Sequence, residues 1–169
     1  TVSDGLATDI ATVTVDVADR GELPLAVDDA FATDEDTALT GDVIANDSDP
    51  DNQSLSVTHV EGRAIADGPV TLLSGAVVTM APDGTFTYDP TGALDDVAQG
   101  ATRRDTFTYT LSDGRDGTDQ GGVRIDVAGR NDAPAPAADA YATFEDTVLS
   151  GNVITDATLG GPDTDIDGD

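Results

Sequence analysis

The sequence predicts an all-β protein made of Greek-key β-sandwich units arranged in tandem. Thr, Val, Ala and Gly dominate the composition, which favours strands and tight turns over helices. Short alternating runs of apolar and polar residues recur with turn signals at intervals of about 8 to 12 residues, as is typical of a sandwich. Two sets of motifs also repeat at nearly the same offset, which indicates a tandem array.

The repeat is visible in two separate stretches. Residues 30–44 (AFATDEDTALTGDVI) recur at 140–154 (AYATFEDTVLSGNVI), an offset of 110. Residues 1–5 (TVSDG) recur at 110–114 (TLSDG), an offset of 109, and one residue of slippage in a Gly-rich loop explains the difference. The two matches together predict repeating units of about 110 residues.

This offset divides the chain into three parts. We predict the C-terminal strands of a preceding repeat at 1–22, a complete repeat at 23–132 and the N-terminal part of a following repeat at 133–169. The two partial pieces together lack everything equivalent to about 60–109. We therefore expect them to be completed by more chain or by a partner chain.

Within the central repeat, alternation predicts about seven or eight strands, at 30–33, 38–44, 55–60, 70–73, 76–80, 85–88, 106–111 and 122–127. The stretch 93–100 is the only helix-like segment. The predicted aromatic core consists of Phe31, Phe86, Tyr88, Phe107 and Tyr109.

The charge balance narrows the possible partners. The formal net charge is -27, from 34 acidic residues against seven Arg and no Lys, and all but four of the acids are Asp. Such a surface repels nucleic acid and anionic membranes, and no run of about 18 apolar residues is present to span a bilayer. The acids lie between strand patterns rather than in blocks, which argues against disorder. Many of the acids lie in loops at defined offsets, which favours a fold that binds metal ions. Adaptation of the surface to high salt is compatible with this interpretation.

The acidic loop at 46–52 (NDSDPDN) is the main candidate for a cation site. Alternate residues of a straight strand lie about 6.6 Å apart, so Asp47, Asp49 and Asp51 can share an ion only if the loop curls. Backbone carbonyls with Glu35 or Asp36 would complete the six to eight oxygens that Ca²⁺ prefers. The alternative is a solvated acidic turn.

A second loop near the end of the chain shows the same alternation of acids. It contains Asp163, Asp165 and Asp167, and its spacing from Glu145 differs because residues are inserted before it. With no Cys and a single His, the chain offers no zinc site. Ser, His and Asp are present without a catalytic motif, so we expect no enzymatic activity.

Several motifs in order resemble a known family. They are the junction 131–134 (NDAP), the segment 35–41, the loop 47–51, and the stretches 83–88 (DGTFTY) and 105–114 (DTFTYTLSDG). Together they are similar to the VCBS and cadherin-like tandem repeats of large bacterial surface proteins, such as repeats-in-toxin adhesins. The resemblance implies a cadherin- or immunoglobulin-like sandwich with calcium at the junctions.

The resemblance also implies roles for individual residues. Asn131 and Asp132 resemble the linker ligands, clamping an ion with Glu145 and a strand-end acid such as Asp113. The acidic ligands at the start of each repeat would be Glu35 with Asp36, and Glu145 with Asp146. The earlier junction, 21–24 (GELP), departs from the pattern.

The expected function is that of a calcium-stiffened structural repeat in the stalk of a secreted or cell-surface bacterial adhesin, which mediates extension and cell adhesion. Its partners would be the neighbouring repeats of the same chain, with cell-surface glycans bound through other domains. Two alternatives remain. One is a subunit of a self-assembling extracellular filament, completed by strands of identical neighbouring chains. The other is a carbohydrate-binding adhesin domain.

Overall fold

The computed structural model describes residues 2–16, 21–155 and 162–166. Its strands are β1 (Val2–Ser3), β2 (Thr8–Asp9), β3 (Asp29–Asp34), β4 (Leu39–Asp42), β5 (Ser56–Val60), β6 (Arg63–Ala64), β7 (Val70–Thr71), β8 (Val77–Met80), β9 (Thr85–Asp89), β10 (Thr102–Ser112) and β11 (Thr118–Ala128). A short 3-10 helix covers Ile65–Asp67. No helix in these described ranges is long and apolar enough to cross a membrane.

Two sheets form the central sandwich, which confirms the predicted fold class. One sheet has the order β3-β11-β10-β5-β6 and the other the order β4-β9-β8-β7. All pairings are antiparallel except that of β3 with β11, which is parallel. A separate two-stranded ribbon joins β1 to β2.

The core explains why these residues form strands. In β9 and β10 the aromatic residues alternate with Thr, so one face of each strand is buried and the other is exposed. Phe86 packs edge-on against Phe31 at 5.1 Å and against Phe107 at 5.6 Å between ring centroids. Four of the five predicted core aromatics are fully buried, and Phe31 is half-buried against them.

The topology gives the sandwich two distinct ends. The acidic-loop pole holds the start of β3, the start of β11, the end of β10 and the loop 46–52. The linker pole holds the end of β3, the end of β11 and the start of β10. An 11-residue strand such as β11 extends about 33 Å, so residues at opposite poles cannot bind the same metal ion.

The predicted helix-like segment at 93–100 is wrong. These residues form successive turns, with the N–H groups of Ala93, Val97 and Ala101 each donating to a carbonyl three residues earlier. Gly92 and Gly100 bracket the segment with φ values of 73° and 81°, which a helix does not accommodate. Leu94 and Val97 are nevertheless buried, and their apolar spacing is what suggested a helix.

Candidate metal sites

The acidic loop is fastened to the core through Asp47. The Tyr109 hydroxyl lies 3.0 and 2.9 Å from the two carboxylate oxygens of Asp47, and the Val27 N–H donates to Oδ1 at 2.8 Å. Tyr109 is fully buried, and burial raises the pKa of both its hydroxyl and the Asp47 carboxyl. Asp47 therefore holds the loop on the sandwich and points its oxygens at protein donors.

The other two acids of the loop also bind backbone. Asp49 Oδ1 accepts from the N–H groups of Asp51 and Gln53 at 2.9 and 3.1 Å. Asp51 Oδ2 accepts from the Glu22 N–H at 2.8 Å. The loop thus holds the entering segment at 22–27 by direct hydrogen bonds. Asp49 Oδ2 is buried without a hydrogen-bond partner, which leaves it available for a cation.

Asp29 adds a half-buried carboxyl group beside this loop. Its Oδ2 has no hydrogen-bond partner, and burial together with the charge of Asp47 raises its pKa to about 6. Because the fold favours the protonated carboxyl, the contribution of Asp29 to stability is full below pH 3.8 and is lost as the pH rises through about 6.

We expect Asp29→Asn to stabilise the cation-free protein at pH 7.5. Allowing for solvent screening, the gain should be about 1 kcal/mol at pH 7.5 and should vanish near pH 4. Urea denaturation at several pH values in chelator measures it. Asp83→Asn removes the same unit of charge at an exposed carboxylate whose pKa is lowered by Thr85, and it should give no such gain. Equal gains for both variants would contradict the assignment.

Asp113 belongs to the acidic-loop pole. It is 5% exposed, and its Oδ1 accepts from the N–H groups of Arg115 and Gly117. Asp113 and Asp51 line one cleft of about 620 Å³. The predicted clamp of Asp113 with Asn131 and Asp132 is therefore wrong, because those residues follow β11 at the opposite pole.

Glu35 is the central acid of the linker pole. Its side chain is fully buried, its N–H donates to the Ala128 carbonyl at 3.1 Å, and its Oε1 accepts from the Arg130 N–H. Its Oε2 is buried without a hydrogen-bond partner. The predicted grouping of Glu35 or Asp36 with the acidic loop is wrong, because the turn after β3 lies at the other end of the sandwich. Asp36 itself is exposed.

The linker, residues 130–134, leaves this pole next to Gly129, which lies in a narrow space between backbone segments. The Gly129 N–H donates to the Ala101 carbonyl at 3.0 Å. A Cβ at Gly129 would lie 2.0 Å from the Val97 carbonyl oxygen and 2.3 Å from that of Ala98, so only Gly fits. Sequence and sterics thus fix where the chain departs towards Asn131, whose side-chain amide donates to the Asp132 carbonyl at 2.7 Å.

A cleft of about 540 Å³ follows the linker. Asp95, Asp132 and Asp165 line it, together with Ala133, Ala135, Thr164 and Ile166. It brings an acid of the 93–100 turns, an acid of the linker and an acid of the second loop to one place. Glu145 does not line this cleft and lies exposed in a turn with Asp146, whose φ is 65°.

The second acidic loop repeats the fastening of the first. Leu25 and Ser48 exchange two backbone hydrogen bonds, and so do Ala135 and Thr164. The Ala137 N–H donates to Asp163 Oδ1, as the Val27 N–H does to Asp47 Oδ1. The inserted residues therefore leave the register of the loop unchanged, with Asp163 and Asp165 equivalent to Asp47 and Asp49. Asp167 lies outside the described residues.

Across the described ranges, no group of three or more His, Cys, Asp or Glu side chains converges closely enough to hold a metal ion as arranged. The predicted ligands therefore remain predictions, redistributed over two poles. Sequence reasoning missed Asp29, and it assigned Tyr109 to the core without its contact to Asp47. The pattern DAFATD offers a signal for Asp29, since its first Asp begins the strand that carries Phe31.

A Greek-key sandwich whose linker enters at one acidic pole and leaves at the other defines a tandem sandwich module. The chain belongs to the bacterial cadherin-like domain family, whose model matches residues 22–129. The predicted boundaries at 22/23 and 132/133 stay predictions.

One curated relative is the calcium-binding lectin RapA2 of Rhizobium johnstonii. It is 34% identical over 137 residues, which cover 76% of this chain and 57% of RapA2. A solved structure of a nucleoside hydrolase-related hypothetical protein from Saccharophagus degradans aligns with a TM-score of 0.40 at 14% identity, over 65% of this chain and 26% of that one.

Proposed function

We propose that this chain is a calcium-stiffened structural repeat of a secreted or cell-surface bacterial adhesin, with no enzymatic activity. The main support for this proposal is Glu35, a fully buried carboxylate with one oxygen that has no hydrogen-bond partner, at the point where the linker leaves the sandwich. A buried carboxylate with only one of its oxygens hydrogen-bonded is costly, and a bound cation would offset that cost.

The donor set of the linker pole fits Ca²⁺. The acids near the linker supply only oxygen, which is the ligand that Ca²⁺ takes, and no Cys or Lys is present in the chain. Glu35 would hold the ion together with Asp132, and Asp95 and Asp165 of the adjoining cleft are the further candidates. At the acidic-loop pole, Asp49 offers a buried free oxygen for a second ion.

The repeated fastening of the acidic loops supports a tandem role. Each loop holds the segment that enters its own repeat through a carboxylate and a two-bond backbone bridge. Asp132 and Asp165 then come from two successive repeats and line the same cleft. An ion bound by both would fix the angle between the repeats, which is how calcium would stiffen a stalk.

Removal of calcium should destabilise and loosen the chain. For extracellular-type sites with Kd near 10⁻⁴ to 10⁻³ M, 10 mM Ca²⁺ should add about 1.4 to 2.7 kcal/mol per site by mass action. Calorimetry in calcium and in chelator measures the shift in melting temperature, and small-angle scattering measures the spread of interdomain angles. Identical melting and scattering in both conditions would rule out the proposed function, and Mg²⁺ at the same concentration is the control for ionic strength.

A second candidate function is carbohydrate binding, which the name of the relative RapA2 favours. In that case the module, or other domains of the same protein, would contact cell-surface glycans. A glycan array probed with and without calcium tests it, since binding by the isolated chain would place the glycan site here.

Assembly with identical chains is favoured by exposed apolar side chains in the flanking segments. Several apolar side chains of these segments are at least 65% exposed, namely Leu6, Val13, Val148 and Val153. Alternating apolar patterns of this kind are typical of half-buried strands, so we expect neighbouring repeats or identical chains to cover these side chains. Electron microscopy of the purified chain in calcium distinguishes coverage by neighbouring repeats from assembly with identical chains, because only the latter produces ordered polymers.

A further inference from the structure

Arg130 occupies an unusual position for a basic residue of this chain. It is one of only seven Arg residues against 34 acids, and it lies between Gly129 and the linker acid Asp132. Its side chain is 63% exposed, so packing does not explain why it lies there.

Arg130 contacts two consecutive carboxylates at once. Its backbone N–H donates to Glu35 Oε1. Its guanidinium donates through Nη2 and Nε to Asp34 Oδ2, at 2.8 and 3.1 Å. The residue thus ties the first position of the linker to the turn that follows β3.

The same two carboxylates keep one free oxygen each. Glu35 Oε2 and Asp34 Oδ1 are both buried without hydrogen-bond partners. Asp34 therefore pairs with the guanidinium and Glu35 with the backbone N–H of the same residue. The remaining lone pairs of both carboxylates are available to a cation. A divalent ion bound there would lie near the guanidinium, and like charges at such distances repel.

Other arginines within the described residues do not have this arrangement. Arg103 forms its ion pair with Asp96, although its charge also acts on Glu35. Arg104 and Arg124 pair with Asp126 on the strands. In the sequence, Arg20 precedes Pro24 of the earlier junction by four residues, as Arg130 precedes Pro134. Arg is thus repeated at the 110-residue offset. The next two linker residues, Asn131 and Asp132, are not repeated, because Gly and Glu stand at the equivalent earlier positions.

We propose that Arg130 is the built-in counterion of the linker pole: it holds the linker to the Asp34–Glu35 turn when no ion is bound, and it lowers the affinity of that pole for calcium. This inference rests on the proposed calcium binding. Its consequence is a junction that stays assembled without calcium and responds only at high external calcium concentrations.

The test compares Arg130→Gln with Arg104→Gln, which removes a similarly exposed arginine whose ion pair is with Asp126 of β11 and not with the Asp34–Glu35 turn. In the full chain, calorimetric titration with CaCl₂ should show calcium bound about three- to tenfold more tightly by Arg130→Gln, because one nearby positive charge is gone. In chelator, amide hydrogen exchange at Glu35 and Arg130 should become faster. Arg104→Gln should change neither quantity.

Arg130→Lys separates charge from geometry. Lys keeps the charge but loses the planar set of donors, so calcium affinity should stay near that of the wild type while exchange in chelator becomes faster. Tighter calcium binding by Arg130→Lys, or unchanged or weaker binding by Arg130→Gln, would overturn the inference and leave the proposed function standing. Failure of the wild-type chain to bind calcium would overturn both.

Discussion

Replacement of Glu35 by Gln is expected to raise the melting temperature in chelator and to abolish most of the rise that calcium produces. Without an ion, the buried carboxylate of Glu35 has one oxygen with no partner. Gln retains an acceptor for the Arg130 N–H and removes the buried charge, which should stabilise the cation-free fold by about 1 to 3 kcal/mol.

In calcium this advantage of the variant over the wild type should shrink or disappear. Gln offers a weaker, neutral oxygen, so the linker-pole site should lose its main charged ligand. At 10 mM Ca²⁺ the variant should therefore lose about 1.4 to 2.7 kcal/mol of the stabilisation that the wild type gains. Urea denaturation of both proteins, in chelator and in calcium, measures the difference in their free energy of unfolding under each condition.

Glu61→Gln is the matched control for this substitution. Glu61 is exposed, and its Oε1 accepts from the N–H and hydroxyl of Thr108 on the strands. Its replacement should leave the calcium-induced shift unchanged. A Glu35→Gln protein with a full calcium response would show that Glu35 is a structural acid and not a ligand.

The strand pattern was predictable because burial imposes a period of two. Phe86 and Tyr88, and likewise Phe107, Tyr109 and Leu111, alternate with Thr on strands that face one core. The full lengths of β10 and β11 were not predictable in this way. The first residues of each strand include polar ones such as Arg103 and Asp119, which pair through the backbone with Val127 and Leu111 of the other strand.

The acidic loops and the linker acids were recognisable from their spacing, but their grouping was not. Glu35 is 12 residues from Asp47 in the sequence, yet β3 carries it to the opposite pole. Asp132 and Asp165 are 33 residues apart and line one cleft. Grouping depends on the direction in which each strand runs, and the parallel pairing of β3 with β11 cannot be read from local alternation.

The involvement of Tyr109 in the acidic loop illustrates a second limit. Its position in the run TFTYTL predicts only a buried aromatic ring. In the fold, Gly121 lies against that ring, where a Cβ would come within 2.4 Å of it, and the hydroxyl reaches the loop beyond the core. A residue chosen by its apolar pattern thus also positions a polar loop, and only the packing shows this.

Tyr109→Phe should therefore loosen the acidic loop without disturbing the core. The variant keeps the buried ring but removes the donor that lies 3.0 and 2.9 Å from the two oxygens of Asp47. A hydrogen bond to a charged group contributes about 1.5 to 3 kcal/mol, so stability should fall by about 2 kcal/mol. Amide exchange at Val27, whose N–H also binds Asp47, should become faster.

Tyr88→Phe provides the comparison that makes this prediction specific. Tyr88 is also fully buried and donates to a carboxylate, Asp105 Oδ2, at 3.0 Å. Ser74 donates to the same Asp105 Oδ2, so that oxygen keeps a donor in Tyr88→Phe. In Asp47 the Val27 N–H donates to Oδ1 and not to Oδ2, which Tyr109 contacts. Tyr88→Phe should therefore cost less stability and should leave exchange at Val27 unchanged. Equal exchange at Val27 in both variants would mean that the backbone bridge between Leu25 and Ser48 holds the loop by itself. The contrast between the two tyrosines thus isolates the role of one hydroxyl in joining the core of a repeat to the segment that enters it.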